Sequence, residues 1–353
     1  MTVPPETCSV CDGSGLLLRD VCPLCDGAWG WPSAPDSTGA DAASSSPSMS
    51  DVSEEILADL RRFQPVTLEG MDPSLHYLPP HIAKVRWTAL GDLVSAREKA
   101  SCGNIEGSRW ISLRLDGSGF SKTVRSMRRH GILESTGFSA RFAECMQGCL
   151  RSLMEKFHCL IGYTQSDEMI VFLPPTSVVR GERQEHMYGG RVAKLISLSA
   201  GFVTSHFVLR MGQLCAASGA GLEALAGLTP HFDCRLGHYE SWEEARSLLL
   251  LRAYDCSVNG IADAVYHTPG SGKLIQGKGK VEKLEWLWKN ELLPLPGHQA
   301  YGTVLVKTKR MVEGLNPQTQ EKVKTLRGVI ELVDGPVLEL ARTDRLFPAY
   351  DAV

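Results

Sequence analysis

The chain has little of what marks a membrane protein, a disordered chain or a strongly charged nucleic-acid binder. No apolar run reaches the ~18–20 residues of a membrane-spanning helix. The most apolar stretch, Leu195–Leu209, is broken by Ser197, Ser199, Thr204, Ser205 and His206. Aromatic residues make up only 7% of the sequence, but hydrophobic residues reach 43% and charged residues 22%. That balance excludes a fibre or a mostly disordered chain. Neither sign of charge dominates: 37 basic against 40 acidic residues leave −3 over 353 residues. The length suggests about two domains of ~100–200 residues.

The near-neutral total hides an asymmetry. Residues 1–60 carry ten Asp or Glu and one basic residue, Arg19, a net of −9. The rest therefore carries +6, compatible with polyphosphate or RNA ligands. A signal-peptide pattern is absent at Met1–Thr7, and the eleven cysteines are odd in number and irregularly spaced. Both point to a reducing setting rather than a disulfide framework, the cytoplasm first, with the mitochondrion and the nucleus as alternatives.

Four of those cysteines form a pattern. Cys8, Cys11, Cys22 and Cys25 make two CxxC pairs, each followed by a glycine, and four thiolates complete a tetrahedral zinc site. The competing reading is a redox-active or unmetallated tail. Residues 31–53 are rich in Pro, Ser, Ala, Asp and Gly and read as a flexible linker. Residues 54–107 read as a lead-in segment, residues 108–315 as the catalytic domain, and residues 316–353 as a C-terminal extension.

Within the catalytic stretch, Ile111, Leu113 and Leu115 alternate with Ser112 and Arg114, the period of a half-buried strand. A helix follows over Lys122–His130. Phe142, Cys145, Met146, Cys149, Leu150, Leu153, Met154 and Phe157 define one apolar face of another. Cys159–Tyr163 and Ile170–Leu173 read as a hairpin with Asp167-Glu168 at its turn. A second long helix is expected over Glu185–Phe207, a strand over Phe232–Leu236, and a helix opened by the Ser241–Glu244 capping box. The order β-α-β-β-α-β predicts an α+β, ferredoxin-like, polymerase-palm-type domain with helices on one face, beside a small zinc-binding module.

In such a sheet Asp116, at the end of the first strand, and Asp167, at the hairpin, can converge on hard cations. Two magnesium ions held there would activate a hydroxyl and steady a leaving oxygen in phosphoryl transfer. Gly117 and Gly119 expose amides before a helix, a cradle for phosphates. Each feature alone also fits a plain turn.

Together the motifs resemble those of the tRNA-histidine guanylyltransferase and guanylyltransferase-like family, the 3′-to-5′ nucleotide polymerases. Arg114-Leu-Asp-Gly-Ser-Gly-Phe120 is similar to the family's R-x-D-G-x-x-F, and Tyr163-Thr-Gln-Ser-Asp-Glu168 to its Y-G-Q-S-D-E. Phe232-Asp-Cys-Arg235, Arg252-Ala-Tyr-Asp-Cys-Ser-Val-Asn259 and Gly302-Thr-Val-Leu-Val-Lys307 follow in family order. The resemblance implies activation of a tRNA 5′-monophosphate by ATP, then attack by the 3′-hydroxyl of GTP or another nucleotide. It implies Asp116, Asp167 and the Gly117 carbonyl as magnesium ligands, with Glu168 as support and the three acids as the catalytic set. It implies that Gly117, Ser118, Gly119, Phe120 and Ser121, with Ser166, wrap a nucleotide, and that Arg191 and Lys194 meet its phosphates. Arg191 and Lys194 read without the resemblance as a solvated helix face. It also implies tRNA as partner and a tetramer; that no membrane is a partner is expected from the lack of a long apolar run.

The chain departs from the family at Ser118, at Thr136-Gly-Phe-Ser139 in place of K-P-N-D, and at Ser257-Val-Asn-Gly260 in place of H-I-N-N. The last departure points toward the like proteins, which complete truncated 5′ ends against a template. Lys122, Arg125, Arg128 and Arg129 form one basic patch, and Lys273, Lys278, Lys280 and Lys283 another. The competing functions are a palm-type nucleotide cyclase, which lacks its G-G-D/E-E-F signature here, and a non-catalytic RNA-binding module.

Overall fold

The computed structural model describes residues 16–17, 20–21, 48–62, 84–99, 103–135, 137–221, 225, 228–268, 277–315, 318, 320–342 and 346. The chain divides into two compact units: Met1–Ser46 with Gln276–Gly279, and Pro47–Ile275 with Lys280–Val353. In the first unit, β1 (Leu16–Leu17) pairs antiparallel with β2 (Asp20–Val21). This ribbon falls in sequence between the two CxxC pairs. Cys8, Cys11, Cys22 and Cys25 themselves lie outside the described residues, as does Lys273.

The second unit is built on a six-stranded sheet in the order β10-β9-β4-β5-β3-β8. β3 (Trp110–Ser118) is flanked antiparallel by β5 (Glu168–Leu173) and β8 (His231–Tyr239). β5 forms a hairpin with β4 (Ile161–Gln165), and β4 pairs with the start of β9 (Thr303–Leu315). β10 (Lys322–Val333) pairs with β9. Between β3 and β4 run α3 (Phe120–Arg129) and α4 (Ala140–Lys156). Between β5 and β8 run a short hairpin, β6 (Val178–Val179) with β7 (Glu182–Arg183), and α5 (Val192–Ser218).

The sheet has two covered faces. Ile111, Leu113, Leu115, Met169 and Val171 pack with Met127 of α3, Leu150 and Leu153 of α4, and Phe207 and Met211 of α5. On the other face Trp110, Ile170, Phe172, Tyr163 and Tyr239 pack with α1 (Met49–Arg62), α2 (Lys84–Lys99), α6 (Trp242–Tyr266) and α9 (Val337–Arg342). A third, smaller cluster joins the end of α6 to α7 (Lys280–Lys289) and α8 (Gly297–Ala300).

This corrects the expectation of helices on one face. β3 is buried on both sides along Trp110–Leu115, although Ser112 and Arg114 alternate with its apolar residues. Arg114 is neutralised by an acid, and Ser112 shares a 3.0 Å hydrogen bond with the Tyr239 hydroxyl, so both tolerate burial. The expected linker also ends early. Residues 49–53 open α1, whose Met49, Val52, Ile56, Leu57 and Leu60 form a stripe at 3–4-residue spacing against α6. The second long helix starts at Val192, not Glu185, and runs to Ser218. Positive φ at Tyr188, Gly189 and Gly190 holds the chain out of the helix until Arg191. At Gly190 a side chain would also come within 2.1 Å of the Ile105 carbonyl. By length and composition α5 could cross a membrane, yet it buries Leu195, Val203, Phe207, Met211 and Cys215 in the core.

Candidate active site

The site forms where β3 ends and the β4–β5 hairpin turns. Asp116 pairs across the sheet with Glu168 on one side and Asp233 on the other. Residues directly opposite share a face, so three carboxylates stand in one row. Asp167 occupies the turn just before Glu168, and the Gly117 amide donates to its main-chain carbonyl at 3.0 Å. Ser166, at φ 51°, donates from its hydroxyl to Asp167 Oδ1 at 3.0 Å. Left-handed backbone at a serine is a local strain held by its surroundings. Gln165 supplies that hold: its buried amide donates to the carbonyls of Cys256 and Gln299.

The acids are not equivalent. Glu168 is buried and fully paired. Arg252 of α6 binds it as a fork, Nε to Oε1 at 2.7 Å and Nη2 to Oε2 at 2.6 Å, and Arg114 adds a contact at 3.4 Å. Arg252 also pairs with Asp255 at 2.9 Å. The described ion pairs give neither Asp116 nor Asp167 a basic partner. Burial first, then the charges of Glu168, Asp167 and Asp233, push the Asp116 carboxyl up to about 6. Burial also raises Asp167, against the Ser166 hydrogen bond.

Among the described residues, no group of three or more His, Cys, Asp or Glu is gathered as a metal cluster. The donor set nonetheless suits magnesium, which takes one or two protein carboxylates, keeps several waters and shares substrate phosphates. Two crowded carboxylates without a counter-charge are what such a cation would relieve.

Beside Ser166 and Asp167 lies a cavity of about 480 Å³. Ser121, Val124, Arg125 and Arg128 of α3 form one wall, Phe138 and Ser139 a second, and Asp263, Tyr266 and His267 at the end of α6 a third. The α3 N-terminus starts at Gly119, φ 71°, with no side-chain cap. The Lys122 amide donates back to the Gly119 carbonyl at 3.1 Å, which leaves the first two amides, of Phe120 and Ser121, as those that favour an anion.

The sequence model of the tRNAHis guanylyltransferase family (Thg1) matches residues 95–240. The resemblance carried by the motifs therefore holds over the stretch that contains Asp116, Asp167 and Glu168. An uncharacterized protein of Acanthamoeba polyphaga mimivirus is 26% identical over 235 residues, covering 62% of this chain and 77% of that relative. The fold is similar to that of a bacterial tRNA(HIS) guanylyltransferase (Thg1)-like protein in complex with ATP. The TM-score is 0.51 at 17% identity, covering 73% of this chain and 99% of the other. A bacterial protein of the same description in complex with GTP gives 0.48 at 17% identity, covering 74% and 100%.

The structure gathers most of the expected site residues and separates two. Asp116, Gly117, Ser118, Gly119, Ser121, Ser166, Asp167 and Glu168 lie together. Phe120 lies there too, but its ring is buried among Phe142, Phe207 and Phe232 and supports the loop from beneath. Gly117 is glycine because a side chain would strike that ring at 2.5 Å. Arg191 and Lys194 stand elsewhere. Thr204 of α5 meets the Phe232 amide, opposite Gly117. Arg191 lies 13 residues earlier, roughly 20 Å away along the helix at ~1.5 Å per residue. It bridges to Asn104, ahead of the opposite end of β3. Both side chains are exposed there, as a solvated helix face requires.

Other site residues escaped the sequence reading. Arg252 and Asp233 sat inside quoted motifs without a role. Phe138 and Ser139 did not escape it: they belong to the segment that departs from the family, which the resemblance ties to the activating nucleotide's pocket, and they line the cavity. Asp263 and Tyr266 carry no local signal at all. Ser257 is buried and donates to the Ala253 carbonyl, and a side chain at Gly260 would meet the Gln299 carbonyl at 2.1 Å. Packing therefore accounts for both residues of that departure.

Proposed function

We propose that the protein is a magnesium-dependent nucleotidyltransferase that adds nucleotides in the 3′-to-5′ direction to tRNA 5′ ends, on a ferredoxin-like palm. The reading is carried by one observation: Asp116 and Asp167, unpaired and crowded, converge at the strand ends beside the uncapped start of α3. Family resemblance over residues 95–240 supports the substrate class. The strand order β4-β5-β3-β8 supports the palm.

Asp116, Asp167 and the Gly117 carbonyl would hold the magnesium. When bound, it supplies charge for the phosphoryl oxygens and acidifies the attacking hydroxyl. Glu168 holds no charge to spare; with Arg252 and Arg114 it fixes the β3–β5 register that aligns the two aspartates. The α3 amides after Gly119 bind and orient a triphosphate. Arg125 and Arg128 line the cavity where the rest of the nucleotide, GTP or ATP, would sit. Templated completion of truncated tRNAs, rather than histidine-tRNA identity, suits a chain whose Ser257 and Gly260 are packed inward and cannot read a base. The N-terminal CxxC pairs would hold a structural zinc.

The test is addition of labelled nucleotides to 5′-monophosphorylated tRNAs, intact and truncated, with and without a chelator. Magnesium-dependent addition set by the opposing base is expected. Addition of G to tRNA-histidine alone, whatever the opposing base, would assign the stricter activity. Absence of any addition would remove the reading.

A further inference from the structure

The cavity beside Asp167 is closed at its α6 wall by a carboxylate that the phosphoryl chemistry does not use. His267, one turn after Asp263, donates from Nε2 to Asp263 Oδ1 at 3.2 Å. Arg128 Nη1 faces His267 Nδ1 at 3.5 Å. An arginine can only donate, so Nδ1 accepts and the ring proton sits on Nε2. Arg128 is tied in turn by Nη2 to the Gly137 carbonyl. Arg128 and His267 therefore fix where the carboxylate stands. Asp263 Oδ2 is enclosed and takes no hydrogen bond from any described residue. Buried acceptors are seldom left unmatched. The side chain as a whole is 36% exposed and lines the cavity. A small rotation about χ2, a broad torsion in aspartate, brings that oxygen to a ligand.

The neighbouring walls suit a planar base. Phe138 is half-buried, and its ring packs against His298 with centroids 5.6 Å apart. Tyr266, on the same wall as Asp263, is 78% exposed. Aromatic faces stack on any base, so the carboxylate does the choosing. Guanine presents N1–H and N2–H2 side by side, two donors for the two oxygens of a carboxylate. Adenine presents one donor beside its N1 acceptor, which a carboxylate repels. Among the RNA bases only guanine has two adjacent donors on that edge.

Spacing decides which part of a nucleotide reaches Asp263. The free amides of Phe120 and Ser121 suit phosphate at the start of α3. Arg128 follows Ser121 by seven residues, roughly 10 Å along the helix at ~1.5 Å per residue. A ribose hydroxyl sits close to the phosphates, and the base lies beyond the sugar. The longer distance suits the base.

We propose that Asp263 is the specificity-determining residue of this cavity: its carboxylate accepts from guanine N1–H and N2–H2, so the site takes guanosine triphosphate and rejects adenosine triphosphate. This deepens, and rests on, the reading of the cavity as the nucleotide site of a nucleotidyltransferase. Arg128 and His267 act through Asp263 as positioning residues. The guanine is that of a free nucleotide, because the phosphate-favouring amides and Asp167 border the same cavity.

The test is isothermal titration calorimetry of the full chain with magnesium and GTP, ATP, inosine triphosphate or xanthosine triphosphate. Wild type should bind GTP at least ~10-fold more tightly than ATP, the discrimination that one bidentate pair provides. Inosine triphosphate, which lacks the 2-amino group, should fall between them. Asp263→Asn keeps the size of the side chain and turns one acceptor into a donor. Xanthine carries a carbonyl where guanine carries the amine, so it supplies the matching acceptor. The variant should lose at least ~10-fold in GTP affinity, keep its ATP affinity and gain xanthosine triphosphate. A merely structural role would weaken every nucleotide alike, and that result, with thermal melting unchanged, would overturn the proposal. Equal affinity of wild type for GTP and ATP would overturn it without any variant. A guanine-containing single-stranded RNA whose affinity falls in Asp263→Asn, while that of GTP does not, would assign the carboxylate to RNA and overturn the free-nucleotide site. If the switch from GTP to xanthosine triphosphate is seen but no tRNA is extended, the enzymatic reading fails and the guanine site stands.

Discussion

The two ends of the sheet are built on opposite terms. At the acid end, each polar group near Asp116 is fixed by a buried partner: Gln165 by two carbonyls, Glu168 by two guanidiniums, the Asp167 carbonyl by the Gly117 amide. At the far end, the β9–β10 ribbon is exposed on both faces, basic and supported only by itself. At one end Asp116 and Asp167 have no basic partner among the described ion pairs, and the other end carries positive charge reaching into solvent. Chemistry on phosphate needs atoms held within a fraction of an ångström.

The sharpest break of this comparison is at the acids. Asp116→Ala or Asp167→Ala should abolish nucleotide addition, while circular dichroism and thermal melting stay near wild type. Neither carboxylate has a basic partner among the described ion pairs, so truncation relieves repulsion. Near-normal activity in either variant would remove the two-carboxylate site.

Glu168 should behave in the contrary way. Glu168→Ala leaves buried Arg114 without its acid and Arg252 with Asp255 alone, and urea denaturation should show a loss of about 3 kcal/mol. A loss below about 1 kcal/mol would mean that the fork to Arg252 is not a structural tie. Gly117→Ala should cost about 1–3 kcal/mol, since the Phe120 ring, locked among three other aromatic rings, cannot move aside. Wild-type stability would show that the ring does yield.

The smallest expected effect is a pH dependence in the absence of divalent metal. The Asp116 carboxyl is raised from 3.8 to about 6 on folding, so its ionisation destabilises the native state. Its contribution is fully present below about pH 4 and is lost as pH rises through about 6. Asp116→Asn should therefore equal wild type near about pH 4 and exceed it by about 1–2 kcal/mol near about pH 8, after allowance for solvent screening. Saturating magnesium should shrink the difference. A difference constant with pH would show that Asp116 is not crowded.

Much of the acid end was legible in the sequence because its signals are local. Period-two alternation marks β3, the Asp-Gly break marks its end, and the paired apolar runs mark the β4–β5 hairpin around Asp167. What stayed hidden depends on partners distant in the chain. Arg252 reaches Glu168 across 84 residues. The second face of the sheet is covered by α1 and α6, which no pattern within β3 announces. The start of α5 is set by left-handed residues 188–190 and by the Asn104 bridge; the resemblance, not the spacing, carried Arg191 and Lys194 to the phosphates, and read by themselves they are the solvated helix face that their exposure shows. The ribbon escaped notice beyond Lys307 because its alternating charged and apolar residues cover no core, and strand patterns are read from burial.

The most direct test of the central claim is manganese binding followed by electron paramagnetic resonance, manganese standing in for magnesium. Wild type should deplete the free-ion signal, with GTP deepening the depletion, and Asp116→Asn and Asp167→Asn should each leave the signal near that of the free ion. Depletion by both variants equal to wild type would contradict the account.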